Sequence, residues 1–243
     1  MIVLHQFPPA FARIGASPFC LKLETWLRLT GLPYRSEPVR DLMAAPKGKA
    51  PFIDDGDRRI GDSALIIEHL KASRGVDPDA WLTLAQRGIA RAVGLMLEDH
   101  LYFIAGHDRW LEPRNWPVTR DAVLHGMPRE LQEAVQAEIR QALHAQGLGR
   151  HSRDELYALG IADIEALADV LGDKPFLMGD RPATVDCIAF AFVHNLMGPA
   201  FDGPLQRAVR ACTNLVAHEA RMRRRLFGAA AATPASTADR PAA

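Results

Sequence analysis

Apolar and polar positions follow two different rhythms along this chain. Up to about residue 75 the apolar runs are short and punctuated by turn residues. Ile2-Val3-Leu4-His5 is a β-favouring run that Phe7-Pro8-Pro9 stops. Ser17-Pro18 then supplies an N-cap and a first helical residue. Leu23, Trp26, Leu27 and Thr30 continue at helical spacing until Gly31 and Pro33 end the helix. Tyr34 to Val39 reads as a second strand, so the opening is a βαβ unit with parallel pairing. Pro51-Phe52-Ile53 and Arg58-Arg59-Ile60 flank an Asp55-Gly56 turn as two short strands. Asp62 to Lys71 predicts a helix, giving the local order β-α-β and then β-β-α.

After Gly75-Val76-Asp77-Pro78 strand patterns cease. Leu82, Ala85, Ile89, Val93 and Met96 mark the expected apolar face of a long helix. Pro128 opens another, with Leu131, Val135, Ile139 and Leu143 inward. Ser152 to Glu155 has capping-box spacing, and Leu156, Ile164, Leu167 and Leu171 follow before Gly172. Val185 to Met197 is apolar nearly all round, which predicts a central buried helix. Leu205 to Phe227 predicts one last amphipathic helix, whose Arg221 to Arg225 form a solvated face. The Ala/Pro/Thr-rich stretch 229–243 has nothing to bury and is expected to be a disordered tail. Two domains are therefore expected, residues 1–76 mixed α/β and residues 77–228 helical, an α+β chain overall.

Composition narrows the function classes. The chain has 243 residues, is 48% hydrophobic and balances 29 basic against 29 acidic side chains. Zero formal charge argues against a nucleic-acid binder that works by neutralising phosphates. Cys20, Cys187 and Cys212 are too few and too scattered for a disulfide framework, and no His/Cys cluster has zinc spacing. No metal is expected, and a reducing, cytoplasmic compartment is. MIVLHQFPPA lacks the charged start of a secretory signal, and no apolar run nears the roughly 20 residues of a membrane span. GxGxxG, Walker and HExxH patterns are missing.

Several motifs occur in a familiar order. They are His5-Gln6-Phe7-Pro8, Ser17-Pro18-Phe19-Cys20-Leu21-Lys22-Leu23-Glu24-Thr25, Lys47-Gly48-Lys49-Ala50-Pro51-Phe52-Ile53 and Asp62-Ser63-Ala64-Leu65-Ile66-Ile67. The helical part adds Leu97 to Tyr102, Arg109-Trp110, Gly147 to His151, and Lys174 to Gly179 with Asp186. Together these resemble the glutathione transferase superfamily from about residue 3 to 227, most nearly its failed-axon-connections and metaxin-like branch. The resemblance implies a thioredoxin-like first domain and an all-helical second one. It also implies glutathione as co-substrate, a small apolar electrophile as the other partner, and a possible homodimer. A fold hosts many functions, so a non-catalytic adaptor on the same scaffold is the rival reading.

Candidate residues follow from the motifs. Ser17 stands where a helix begins, with unpaired N–H groups and a positive dipole end. By resemblance to serine-type transferases it would donate a hydrogen bond to the glutathione thiolate; otherwise it only caps the helix. Cys20 is the rival nucleophile, expected to be buried and inert, and the route to a third option, thiol-disulfide chemistry. The resemblance implies a cis Ala50-Pro51 peptide that offers the Ala50 backbone to the cysteinyl part of glutathione. Asp62 suits an ammonium, and Ser63 at a helix start suits a carboxylate, so the pair matches the two ends of a γ-glutamyl group. Lys49, with Lys47 and His5 behind it, is the candidate for the glycyl carboxylate. By resemblance Asp186 belongs to a helix cap; Ala183 replaces the usual Ser/Thr partner, and Thr184 is expected to take over. Glu98, His100, Tyr102, Arg109 and Trp110 line the cleft from the second domain or tie its long helices together.

Overall fold

The computed structural model describes residues 1–11, 14–39, 41–198 and 200–228. The expected tail 229–243 lies outside the described residues. The chain opens with β1 (Ile2–Gln6), α1 (Pro18–Thr30) and β2 (Tyr34–Pro38). A single 3₁₀ turn, Pro46–Gly48, separates these from β3 (Phe52–Asp55), β4 (Arg58–Gly61) and α2 (Ser63–Arg74). The sheet order is β2-β1-β3-β4, with β1 parallel to β2 and antiparallel to β3. Ile2, Leu4 and Ile53 turn to the face covered by α1 and α2, whose Leu23, Trp26, Ile66 and Leu70 complete this core. Gly31 ends α1 in the left-handed region, φ 69°, where a side chain is disfavoured.

Among the described residues, the elements after α2 are helices, apart from an isolated bridge between Phe176 and Gly179. α3 (Leu84–Leu95) runs through a π-helical turn, Met96–Leu101, directly into α4 (Tyr102–Trp110). Then come α5 (Trp116–Val123), α6 (Arg129–Gln146), α7 (Arg153–Leu171), α8 (Thr184–Leu196), α9 (Pro204–Ala211) and α10 (Thr213–Phe227). α8 is the axis of the molecule: every residue from Val185 to Leu196 is buried. One face of it, Cys187, Phe190 and Ala191, belongs to the core of the sheet domain. Another, Val185, Ile188, Ala189, Phe192 and Val193, belongs to the core of the helical domain.

The two domains are held together through α1 and the linker. Lys22, 2% exposed, pairs with Glu98 from the π-helical turn. Trp26 Nε1 donates to Thr184 Oγ1 at 3.2 Å, and Thr184 donates through its N–H and hydroxyl to Asp79, each at 2.7 Å. Lys71 of α2 closes this chain of contacts on Asp79 at 2.7 Å.

Five expectations need correction. Thr184 does not cap α8; it is the first helical residue, and its hydroxyl is turned to Asp79 in the linker. The cap is Asp186 alone, which accepts from the N–H groups of Ala183 and Leu177. Leu205 to Phe227 is two helices, broken at Cys212 (φ −81°, ψ 84°). The face of α3 is rotated: Val93 and Gly94 are buried while Ala85 and Ile89 are exposed, because α8 packs where Gly94 permits close approach. Leu131 of α6 is exposed too, so that helix buries only its C-terminal end at Leu143. Arg221 and Arg223 are not fully solvated: Arg221 donates to the Pro175 carbonyl at 2.6 Å and Arg223 pairs with Glu219 at 3.3 Å.

Candidate active site

Strand register brings the candidate residues to one end of the sheet. His5 and Gly61 are both opposite Phe52. The C-terminal ends of β1 and β4 and the N-terminal end of β3 therefore share one edge. The chain leaves that edge towards Ser17 at the start of α1, arrives there through Ala50-Pro51, and leaves it again through Asp62-Ser63 at the start of α2. Two helix N-termini with their partial positive charge thus face the same end.

Ser17 caps α1 as its neighbours require: its Oγ accepts from the Cys20 N–H at 3.4 Å. That contact uses an oxygen lone pair; the hydroxyl also bonds the Cys20 sulfur, so its proton must turn from that thiol to reach a ligand. The Ala50-Pro51 peptide is cis. Ala50 is half-buried, and among the described residues no backbone group bonds to its N–H or C=O. Just before it, the 3₁₀ turn packs on Gly61, where a Cβ would stand 2.8 Å from that of Pro46. Glycine at 61 is thus what lets the Lys47–Ala50 segment lie close to the start of α2.

Asp62 has φ 81° and caps α2; one carboxylate oxygen accepts from Ala64 N at 2.9 Å and Leu65 N at 3.2 Å. Its other oxygen takes no hydrogen bond from the described residues. The two readings of this residue, cap and ligand, thus use different atoms. Ser63 is 5% exposed, and its hydroxyl and N–H have no protein partner among the described residues. A buried hydroxyl and amide left open at a helix start are an unfilled anion site. Lys49 is exposed and has no ion pair among the described residues. His5 is not part of this group: it stacks on Phe52 with centroids 4.3 Å apart and bonds Asp54 at 2.8 Å, on the face away from α1 and α2.

Cys20 is 1% exposed. Burial pushes its thiol up to about 11, against the smaller opposing effects of hydrogen bonds from the Phe7 backbone and the Ser17 side chain. Burial raises Cys187 and, less completely buried, Cys212 as well. At pH 8 the Cys20 thiolate fraction is about one in a thousand, too little for ready nucleophilic attack. A disulfide-exchange reagent added to the native protein at pH 8 is therefore expected to modify Cys212 alone, and all three cysteines once urea is present. Fast reaction of Cys20 in the folded state would contradict this.

From the helical side the five candidates separate. Glu98 pairs with Lys22, His100 bonds Asp163 at 2.6 Å, and Trp110 packs against Trp116. These three are structural. Tyr102 and Arg109 reach the start of α1: the Tyr102 ring meets Phe19 at 4.8 Å, and Arg109 Nη1 donates to the Ala16 carbonyl at 2.8 Å. Two grooves lie away from this cleft. One of about 490 Å³ is under the linker beside Trp81 and Arg181, and one of about 510 Å³ is beside His5 and Phe52. Among the described residues no group of His, Cys, Asp or Glu could hold a metal ion.

Comparison with known proteins assigns this arrangement to a class. Residues 18–115 match the family described as Glutathione S-transferase N-terminal domain, and residues 160–222 match Glutathione S-transferase, C-terminal domain. The Isoprene-epoxide--glutathione S-transferase of Rhodococcus sp. (strain AD45) is 32% identical over 206 residues, 81% of this chain and 87% of its own. The chain belongs to the glutathione S-transferase family. Within it the chain falls in the branch of Failed axon connections of Drosophila melanogaster and the metaxins. The former is 33% identical over 250 residues, 93% of this chain; the match spans 58% of the fly protein's length. Metaxin-1 of Mus musculus is 27% identical over 82% of this chain and 66% of its own. The apo structure of glutathione S-transferase III shares the fold, with a TM-score of 0.62, 16% identity, and coverage of 98% of this chain and 99% of that one.

Proposed function

We propose that this protein binds glutathione at the end of the sheet where α1 and α2 begin, and conjugates its thiolate to a small apolar electrophile. The observation that carries the reading is the pair of open groups at Ser63, a buried hydroxyl and N–H at the start of α2. They would take the γ-glutamyl carboxylate, and the free Asp62 oxygen would take its ammonium. The unclaimed Ala50 backbone would pair with the cysteinyl residue as an added strand does. Lys49 would meet the glycyl carboxylate. Ser17 would turn its hydroxyl proton from the Cys20 sulfur to the glutathione thiolate, which lowers the thiol pKa and raises the nucleophile's concentration. The family uses glutathione as co-substrate, and the Rhodococcus relative is named for an epoxide and glutathione.

Three unpaired cysteines suit a cytoplasmic protein, and no helix among the described residues is long and apolar enough to cross a membrane. Exposed Leu84, Ile89 and Leu95 along α3 suit a homodimer contact. A second reading, a binding or adaptor protein without turnover, is supported by Failed axon connections and Metaxin-1, neither of which is named for an enzymatic activity.

Isothermal titration with glutathione tests the binding half. Wild type is expected to bind, and Ser63→Ala to weaken binding about 10-fold or more, since a hydrogen bond to a charged group contributes about 1.5–3 kcal/mol. Equal affinity of the two proteins would remove the γ-glutamyl assignment. Binding without conjugation of any electrophile in a broad panel would favour the adaptor.

A further inference from the structure

From Ile188 to Leu196 the buried length of α8 carries two polar side chains, His194 and Asn195, at 3% and 9% exposure. Polar groups are costly to bury unless they are hydrogen-bonded, so their partners are informative. Both tie back to the chain just ahead of Ser17. The Ile14 N–H donates to His194 Nε2 at 3.4 Å. The Ala16 carbonyl accepts from Arg109 Nη1 at 2.8 Å, and Nη2 of the same guanidinium donates to Asn195 Oδ1 at 3.2 Å. Gly15 between them lies close on α1, where a Cβ would stand 3.4 Å from that of Leu21.

The tautomer of His194 follows from these contacts. A backbone N–H can only donate, so Nε2 accepts and the ring proton sits on Nδ1. Nδ1 then donates to Glu219 Oε1 of α10 at 2.8 Å; Glu219 is 4% exposed and also pairs with Arg223 at 3.3 Å. Asn195 is fixed in its own way: its Nδ2 donates to the Ala191 carbonyl one turn earlier at 3.0 Å, which leaves Oδ1 for Arg109. α8 thus carries a brace from α10 to residues 14–16, and α4 supplies its second arm. On the other side α1 holds Ser17 through the Leu21 N–H, which donates to the Ser17 carbonyl at 3.0 Å. The Ser17 hydroxyl has two directions to turn, to the Cys20 sulfur or to a ligand, and the placing of its backbone bears on which is in reach.

We propose that His194 and Asn195 are positioning residues for Ser17: they fix residues 14–16 so that the Ser17 hydroxyl meets the glutathione sulfur instead of that of Cys20. The inference rests on the glutathione reading above and concerns its thiolate side. No bond forms or breaks at either residue. With the brace in place, Ser17 reaches the thiolate without reorganisation. With the brace cut, residues 14–16 gain freedom and the hydroxyl is lost to Cys20 for part of the time. The thiolate is then less stabilised, so bound glutathione keeps its proton to higher pH. A role confined to the fold would lower Tm and leave the titration of the bound thiol where it was.

His194→Asn separates the two contacts of the ring. An asparagine amide ends near the place of Nδ1, so it can still donate to Glu219 but falls short of Ile14. In this variant the pKa of enzyme-bound glutathione, read from thiolate ultraviolet absorbance against pH, is expected to rise by about one unit, and turnover at neutral pH to fall about 10-fold. Affinity for S-methylglutathione, which has no thiol proton, is expected to be retained. His194→Gln, whose amide oxygen reaches as far as Nε2, is expected to restore most of the rate. Added to Ser17→Ala, His194→Asn is expected to have no further effect on turnover, because it acts through the hydroxyl already removed. Asn195→Ala is expected to move the bound thiol in the same direction, and it carries the test if His194→Asn does not fold. A wild-type protein that binds no glutathione overturns the functional reading along with this one. A bound-thiol pKa that Ser17→Ala leaves unmoved overturns the role of Ser17 and this inference with it. A bound-thiol pKa unchanged in the folded His194 and Asn195 variants, or a loss of turnover that repeats in full on top of Ser17→Ala, overturns this inference alone.

Discussion

Asp186→Ala is expected to destabilise the protein by about 4 kcal/mol and to lower Tm by about 10 °C. Asp186 is 0% exposed and sits in the first turn of α8. One of its oxygens accepts from Leu177 N at 2.8 Å and faces His218 Nε2 at 2.9 Å; the other accepts from Ala183 N at 2.8 Å. Alanine would strand three donors, all where water does not reach. An unsatisfied buried donor costs about 1–3 kcal/mol, and the loss is felt at both core clusters because α8 belongs to each. An ordinary exposed cap would cost only about 1 kcal/mol, so thermal denaturation separates the two cases. A Tm shift below about 3 °C would mean that Asp186 is no more than a cap. No change in glutathione affinity per folded molecule is expected, since the partners of Asp186 are Leu177, Ala183 and His218, none of them a candidate site residue.

Ser17→Ala carries the largest expected effect on activity. If the Ser17 proton is given to the thiolate, its removal forfeits a hydrogen bond to a charged group, about 1.5–3 kcal/mol. That corresponds to about one to two pKa units on the glutathione thiol. Turnover at neutral pH is expected to fall about 10- to 100-fold, and the acidic limb of the pH–rate profile to move up by the same one to two units. The sign follows from the charge: a weaker donor destabilises the thiolate, so its pKa rises and more base is needed to form it. Turnover should recover as pH is raised above the new pKa, and Ser17→Thr should restore most of the rate. If Ser17 only caps α1, the same variant loses about 1 kcal/mol of stability and leaves the pH profile where it was. The profile, not the rate alone, decides between the roles. Cys20 does not offer a substitute nucleophile, because burial pushes its thiol up to about 11.

Parts of this fold were open to reading from the chain because they depend on local chemistry. Ser17-Pro18 and Gly31 bound α1 since a cap, a fixed φ and a left-handed stop act within a few residues. Ser152 and Glu155 close their capping box for the same reason. Elsewhere the deciding partner is distant. No glycine or proline stands between α9 and α10, so apolar periodicity runs on through a break that tertiary packing makes at Cys212. α5 has a single fully buried residue, Thr119, and so offered no apolar stripe to find. α3, the π-helical turn and α4 are continuous, and only the position of α8 decides that Val93, not Ile89, faces inward. Thr184 looked like a cap until Asp79, 105 residues earlier, proved to be its acceptor.

The candidate site divides in the same way. Ser17, Asp62 and Ser63 were marked as helix-start residues, Ala50 and Pro51 by the family resemblance, and the sheet register carries the segments that hold them to one edge. Tyr102 and Arg109 stood out no more than Glu98 or His100, since what distinguishes them is contact with Phe19 and Ala16 at the start of α1, which no sequence displays. His5 was misplaced for the opposite reason. It neighbours the site in sequence, but strand alternation turns it to the other face, onto Phe52 and Asp54.

The central claim is that glutathione lies with its γ-glutamyl head at the start of α2 and its sulfur at the start of α1. A crystal structure of the protein with glutathione tests it most directly. The account predicts the γ-glutamyl carboxylate on the Ser63 hydroxyl and N–H, its ammonium on the free Asp62 oxygen, and the sulfur within about 3.5 Å of Ser17 Oγ. Glutathione bound elsewhere, or with its sulfur turned from Ser17 towards another side chain, would contradict it.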